Sequence, residues 1–139
     1  MQEDFVIESI DTRDASQINA SVPTHFTTRD LAVQIAEIIS DTPASDTIVL
    51  DIHELSTFAD YFVICSGENE RQLRAIVESI SMKLAENGAR AQRIEGTPAS
   101  GWMVMDYGDV IVHVFDVDQR AFYRLEALWQ EAPALLVIQ

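Results

Sequence analysis

The stretch Glu95-Gly96-Thr97-Pro98-Ala99-Ser100-Gly101-Trp102-Met103-Val104-Met105-Asp106-Tyr107-Gly108-Asp109-Val110-Ile111-Val112-His113-Val114-Phe115 decides how this chain is read. Two apolar runs, Trp102 to Met105 and Val110 to Phe115, flank the polar tetrapeptide Asp106 to Asp109. Strand formers on both sides of a short connection containing Gly predict a β-hairpin. Alternation along its second strand places Ile111, His113 and Phe115 on one face and Val110, Val112 and Val114 on the other. Tyr107 sits in the turn between two carboxylates, and a turn so short and polar predicts an exposed ring. Aromatic anchors ringed by polar groups are what binding hot spots are made of. Trp102 and Tyr107, with Asp106, Asp109 and Glu95 beside them, are therefore the candidate partner surface. Trp102, at a strand start, serves equally well as core.

Upstream, Tyr61-Phe62-Val63-Ile64-Cys65 is nearly continuous in apolar residues and predicts a central strand covered on both faces. Asn69, a good N-cap with Gln72 three residues on, opens an amphipathic helix carrying Leu73, Ile76, Val77, Ile80 and Leu84 on one stripe. Asn87-Gly88 ends it, and Arg90 to Glu95 is the next strand. Strand, helix and strand form a crossover, so those two strands run parallel if they share a sheet. Before this unit, Thr27 with Asp30 predicts a helix start, Leu31, Ile35, Ile38 and Ile39 share its inner face, and Asp41-Thr42-Pro43 stops it. Thr47 to Ile52 alternates as a half-buried strand.

After the hairpin, Asp116-Val117-Asp118 opens a last helix with Asp118 as cap. Phe122, Leu125, Leu128 and Trp129 form its apolar stripe, Arg120 and Glu126 a polar network, and Pro133 its end. Leu135 to Ile138 is an apolar tail that either lies on the domain or adds an edge strand. The sum is an α/β domain with a five-stranded mixed sheet flanked by helices.

A chain of 139 residues fits one domain. Its boundaries are expected at 27–139, preceded by a flexible acidic tail over residues 1–26. The formal net charge of −14, from 23 acidic and 9 basic residues, opposes binding to nucleic acid or an anionic membrane, both of which need a basic face. It suits a basic partner. One cysteine, Cys65, leaves no internal disulfide, and His25, His53 and His113 lack metal-ligand spacing. No apolar run approaches the roughly 20 residues of a membrane span. An acidic N-terminus without an apolar run is no secretory signal, and the expected location is the cytoplasm.

Little catalytic chemistry can be assembled. Gly67 before a helix resembles a phosphate-cradling turn, but Glu68 and Glu70 would repel an anion there. Asp116 and Asp118 have a spacing that could hold a divalent metal; helix capping accounts for them more simply. His113 has no carboxylate or nucleophile at triad spacing. Cys65 lies within an apolar run with no basic neighbour, as an inert buried thiol does. No cofactor is expected.

Several motifs recur in order: Asp60-Tyr61-Phe62-Val63-Ile64-Cys65-Ser66-Gly67, Arg71-Gln72, Glu95-Gly96, Gly101-Trp102, Asp106 through Phe115, and Arg120-x-Phe122-Tyr123-x-Leu125-Glu126-x-Leu128-Trp129. Over about Thr28 to Ala132 the chain resembles the ribosomal silencing factor (Iojap-like) family. The resemblance implies a sheet like that of nucleotidyltransferases without their active site. It implies binding to the large ribosomal subunit at its intersubunit face, through large-subunit ribosomal protein number fourteen. Bound there, such a factor blocks joining of the small subunit and lowers translation when nutrients are scarce. The matching motifs assign Trp102, Asp106, Tyr107 and Asp109, with Glu95 nearby, to the partner surface. A homodimer in free solution is also implied. The alternative is a metal-dependent, nucleotidyltransferase-like enzyme using Asp116 and Asp118.

Overall fold

The computed structural model of the protein describes residues 26–139, so the tail expected over residues 1–26 lies outside them apart from Phe26. The elements in chain order are α1 (Thr28–Ser40), β1 (Ser45–Asp51), β2 (Tyr61–Gly67), α2 (Glu70–Glu86), β3 (Arg93–Glu95), β4 (Trp102–Asp106), β5 (Val110–Asp116), α3 (Val117–Tyr123), α4 (Leu125–Leu128) and β6 (Ala134–Ile138). A single 3-10 turn, Pro98–Ser100, leads into β4.

Short-range chemistry starts both long helices. The Asp30 amide donates to Thr27 Oγ1 at 3.1 Å and the Thr27 amide to Asp30 Oδ2 at 3.0 Å, a complete capping box. At α2 the Gln72 amide donates to Asn69 Oδ1 at 2.9 Å. The Gln72 side chain reaches back one residue beyond the cap, accepting from the Glu68 amide at 2.8 Å.

The six strands run in the order β3-β4-β5-β2-β1-β6. β2 and β5 are parallel, in register from Tyr61 opposite Val110 to Gly67 opposite Asp116. Every other ladder is antiparallel. One face, with Val49, Val63, Cys65, Met103, Met105, Val112 and Val114, packs under Ile35 and Ile39 of α1 and Leu73, Ile76, Ile80 and Leu84 of α2. The other face, with Leu50, Ile52, Phe62, Ile64 and Phe115, has only the short α3 and α4 region over it, and Leu125, Ala132, Trp102 and Trp129 join that cluster.

Four expectations are corrected. The sheet has six strands instead of five, because the tail from Ala134 pairs antiparallel with the open edge of β1. A run of β-formers beside an unpaired edge closes the ladder that would otherwise leave β1 exposed. The strand expected from Arg90 begins only at Arg93, and its three residues are exposed at the opposite edge. It does run parallel to β2, but β4 and β5 lie between them, and β5 is the actual neighbour of β2. The last helix is two helices, broken at Arg124, whose φ of 51° is left-handed. That break splits the stripe: Phe122 is 73% exposed and Leu128 75%, while Leu125 is buried. Asp116, not Asp118, is the cap, its Oδ1 accepting from the Gln119 amide at 2.7 Å.

Arg120 holds the closed end of this arrangement. Its Nη1 donates to the Asp46 carbonyl at 2.6 Å and to Ser66 Oγ at 2.9 Å, and its Nε to Glu126 Oε2 at 2.8 Å. One planar fork thus ties β1, β2 and α4 together. Asp46, where β1 is irregular, adopts a φ of 52° that non-glycine residues rarely take. Breaking a buried ion pair costs about 3–5 kcal/mol, less when one partner is partly solvated. Arg120→Met is therefore expected to lower stability by about 2 kcal/mol in urea unfolding. Arg120→Lys should recover little, since an ammonium cannot hold three acceptors in one plane. A Lys variant as stable as wild type would show that charge alone suffices.

Candidate functional site

Strand alternation divides the hairpin's candidate residues between the two faces of the sheet. Met103 and Met105 are buried beneath the helices, while Trp102, Val104 and Asp106 point the other way and are half-buried. Tyr107 continues the alternation of Met103 and Met105 and packs against the helix-side core. Its hydroxyl is buried without a hydrogen-bond partner, and burial pushes its pKa up. The expected exposed ring is therefore corrected. The turn is tight, with Gly108 at φ 88° and its amide donating to Asp106 Oδ1 at 2.8 Å. Position 107 thus keeps the phase of the strand instead of projecting from a loop.

Trp102 anchors the opposite face. Its ring stacks on Phe115 at a centroid distance of 4.8 Å, with 25° between the planes. It meets Tyr123 of α3 at 4.5 Å and 48°. Its indole Nε1 donates to His113 Nδ1 at 3.2 Å. Accepting at Nδ1 assigns the His113 proton to Nε2, which is buried and unpartnered. Burial pushes the His113 pKa down to about 4, so the ring is a neutral part of an aromatic layer and not a general base. Phe62 packs edge-on against it at 4.6 Å.

The acidic candidates sort by the same geometry. Glu95 lies opposite Val104 across the β3–β4 ladder, so it shares the face of Trp102. Asp106 is on that face too. Arg93 lies between them, with Nε 3.3 Å from Glu95 and Nη2 4.0 Å from Asp106. Asp109 is exposed in the turn, where its carbonyl accepts from the Asp60 and Tyr61 amides. Trp102, Glu95 and Asp106 share one face of the sheet, Asp109 stands at the turn, and Tyr107 is behind the sheet.

Sequence reasoning missed Tyr123 and Phe122 as part of this surface. Tyr123, 46% exposed, and Phe122 meet edge to face at 5.1 Å and extend the Trp102 layer outward. Helical spacing groups both with core residues. The left-handed break at Arg124 ends α3 directly after them, and nothing in the sequence around an arginine announces such a break.

Gly67, Asp116 and Cys65 have structural roles. Gly67 lets α2 approach the end of β2: an added Cβ would lie 2.8 Å from Leu73 Cδ1, and that buried side chain would have to shift. Asp116 is engaged in capping α3 and abuts Gly101, whose φ is 80°. Asp118 is exposed in the first turn of α3. Cys65 is buried, and its thiol is pushed up to about 12. Among the described residues, no group of three His, Cys, Asp or Glu side chains could hold a metal, and no helix is long and apolar enough to cross a membrane.

Sheet, half-open aromatic face and acidic border define a small α/β domain covered unequally on its two faces. Residues 25–138 match the family described as ribosomal silencing factor during starvation, and the chain belongs to that family. It is 42% identical over 98 residues to the ribosomal silencing factor of Bacillus subtilis, covering 70% of this chain and 83% of that one. Similarity extends to a Mus musculus protein named for mitochondrial assembly of the ribosomal large subunit. That protein is 30% identical over 98 residues, which cover 68% of this chain and 43% of the relative. A crystal structure of a Chromobacterium violaceum protein superposes with a TM-score of 0.72 at 30% identity, covering 76% of this chain and 88% of that one.

Two measurements test this layout. Tyr107→Ala should cost about 2–3 kcal/mol of stability, less than a fully buried aromatic. Tyr107→Phe should leave stability unchanged or slightly raised, because it removes an unpaired buried hydroxyl. A Tyr107→Ala protein melting like wild type would return the ring to solvent. The second concerns pH. His113 binds a proton in the unfolded chain near its ordinary value of 6.5 but in the fold only near 4. Between these values the unfolded state holds more protons, so stability falls as pH falls through that window. The loss between pH 7 and pH 5 is expected to be about 2 kcal/mol. It should be absent in a folded His113→Gln variant.

Proposed function

We propose that this protein is a non-enzymatic ribosomal silencing factor that binds the large ribosomal subunit at its intersubunit face and blocks joining of the small subunit. The observation that carries the proposal is the aromatic, acid-bordered face of β3 and β4 in a chain of this family. Its docking site is large-subunit ribosomal protein number fourteen, and its effect is to lower translation in the cytoplasm when nutrients are scarce. A relative named for assembly of the mitochondrial large subunit supports the choice of subunit. Trp102 is the central contact, with Glu95, Asp106 and Asp109 as acidic rim, and Tyr107 holds the turn from beneath. Rim carboxylates steer a basic partner into place more than they hold it. With a net charge of −14, direct contact with nucleic acid is minor. The sheet is that of a nucleotidyltransferase without its active site. Free in solution the protein pairs as a homodimer.

The deciding experiment is co-sedimentation with purified large and small subunits on sucrose gradients. Binding to large subunits alone is expected. Sedimentation with both, or with neither, would contradict the proposal. Asp116→Ala should lose roughly 1 kcal/mol of stability with the cap and keep full subunit binding. Loss of binding in that folded variant, with stabilisation of wild type by nucleotide and magnesium, would instead favour the enzymatic reading of Asp116 and Asp118.

A further inference from the structure

Trp102 and Tyr123 meet at 4.5 Å with their planes inclined by 48°, and Phe122 stands against Tyr123 at 86°. Three rings of different orientation therefore share one outer corner of the sheet, where Phe122 is 73% and Tyr123 46% exposed. Large exposed rings on a structured surface are costly to leave in water and mark contact sites. Asp118 is four residues before Phe122 on α3 and exposed, so its carboxylate neighbours the Phe122 ring on the helix surface. Glu95 lies on the Trp102 side of the corner, on the same face of the sheet.

We infer that the Trp102–Tyr123–Phe122 corner is a seat for an arginine side chain of a basic protein partner. A guanidinium stacks flat on an aromatic face while its edge donates to a carboxylate, here Asp118, and it sheds water more readily than an ammonium. The tilted rings offer the face and Asp118 the edge. The occupant is protein and not nucleic acid, because the carboxylates that border the rings, on a chain of net charge −14, repel phosphate. The inference rests on the proposed function for the source of the arginine and adds the side chain that enters.

The first test follows the Trp102 indole and Tyr123 ring by NMR while Nα-acetyl-arginine methylamide is added to the full chain. Shifts localised to this corner are expected, larger than those from the lysine analogue and lost in Tyr123→Ala. No shift, equal shifts from lysine, or shifts produced instead by a short oligoribonucleotide would overturn the inference. The second test measures large-subunit binding. Tyr123→Ala and Phe122→Ala should each weaken it about tenfold, Tyr123→Phe should not, and Asp118→Asn should weaken it with less dependence on salt. The exposure of both rings lets these variants fold, which melting curves check. If wild type binds subunits and both alanine variants bind equally well, the arginine seat is wrong while the proposed function stands. If wild type binds no subunits, the proposed function falls, and the arginine titration decides the seat alone.

Discussion

The parallel ladder between β2 and β5 is the constraint on which the rest depends. Parallel neighbours cannot be joined by a tight turn, so the chain must travel from the end of one to the start of the other. Here α2, β3 and β4 make that journey, and β4 then returns antiparallel to set β5 in place. The two parallel strands are buried on both faces from Phe62 to Ser66 and from Val112 to Phe115. Each face therefore needs a cover. Long helices α1 and α2 supply one. The other receives Trp129 and a pair of short helices, which meet β4 only at Trp102. The open aromatic corner is what remains when a sheet of this width is covered unequally.

Much of this could be read from residue order. The division of β1 and β5 residues between two faces, the continuous apolar run of β2, the Thr27 and Asn69 caps, and the glycine after α2 are local signals, and the fold obeys them. Alternation also held the answer for Tyr107. Continued one step beyond Met103 and Met105, it places residue 107 with the core. Reading the turn as a loop hid this, because Asp106 and Gly108 resemble surface residues. What could not be read was long-range. The pairing of β6 with β1 joins segments far apart in sequence, and the break at Arg124 lies between Arg120 and Glu126, which are tied to each other and, through Arg120, to Asp46 and Ser66. Neither is encoded in a window of neighbours.

The candidate surface was legible in its acids and in Trp102, and illegible in its outer rings. Trp102 serves both readings set out for it: its stack on Phe115 is core, and its border with Tyr123 is surface. A residue in both places links the stability of the sheet to the shape of its exposed corner. The neutral His113 that accepts the indole hydrogen bond sets the pitch of the Trp102 ring, so the exposed corner inherits its geometry from a buried polar pair. Such pairs specify orientation as well as stability, since a ring held by stacking alone can turn in its plane.

Cys65 lies in the middle of β2, fully enclosed, with a thiol that ionises only near 12. A thiolate is the form that reacts with oxidants and electrophiles. The folded protein is therefore chemically silent at its one cysteine, and oxidative conditions have no handle on it. Exposure of that sulfur requires the α1 and α2 cover to lift off the sheet, an opening that strips the larger half of the core. The speed at which the thiol is alkylated is thus a clock for the lifting of that helical cover.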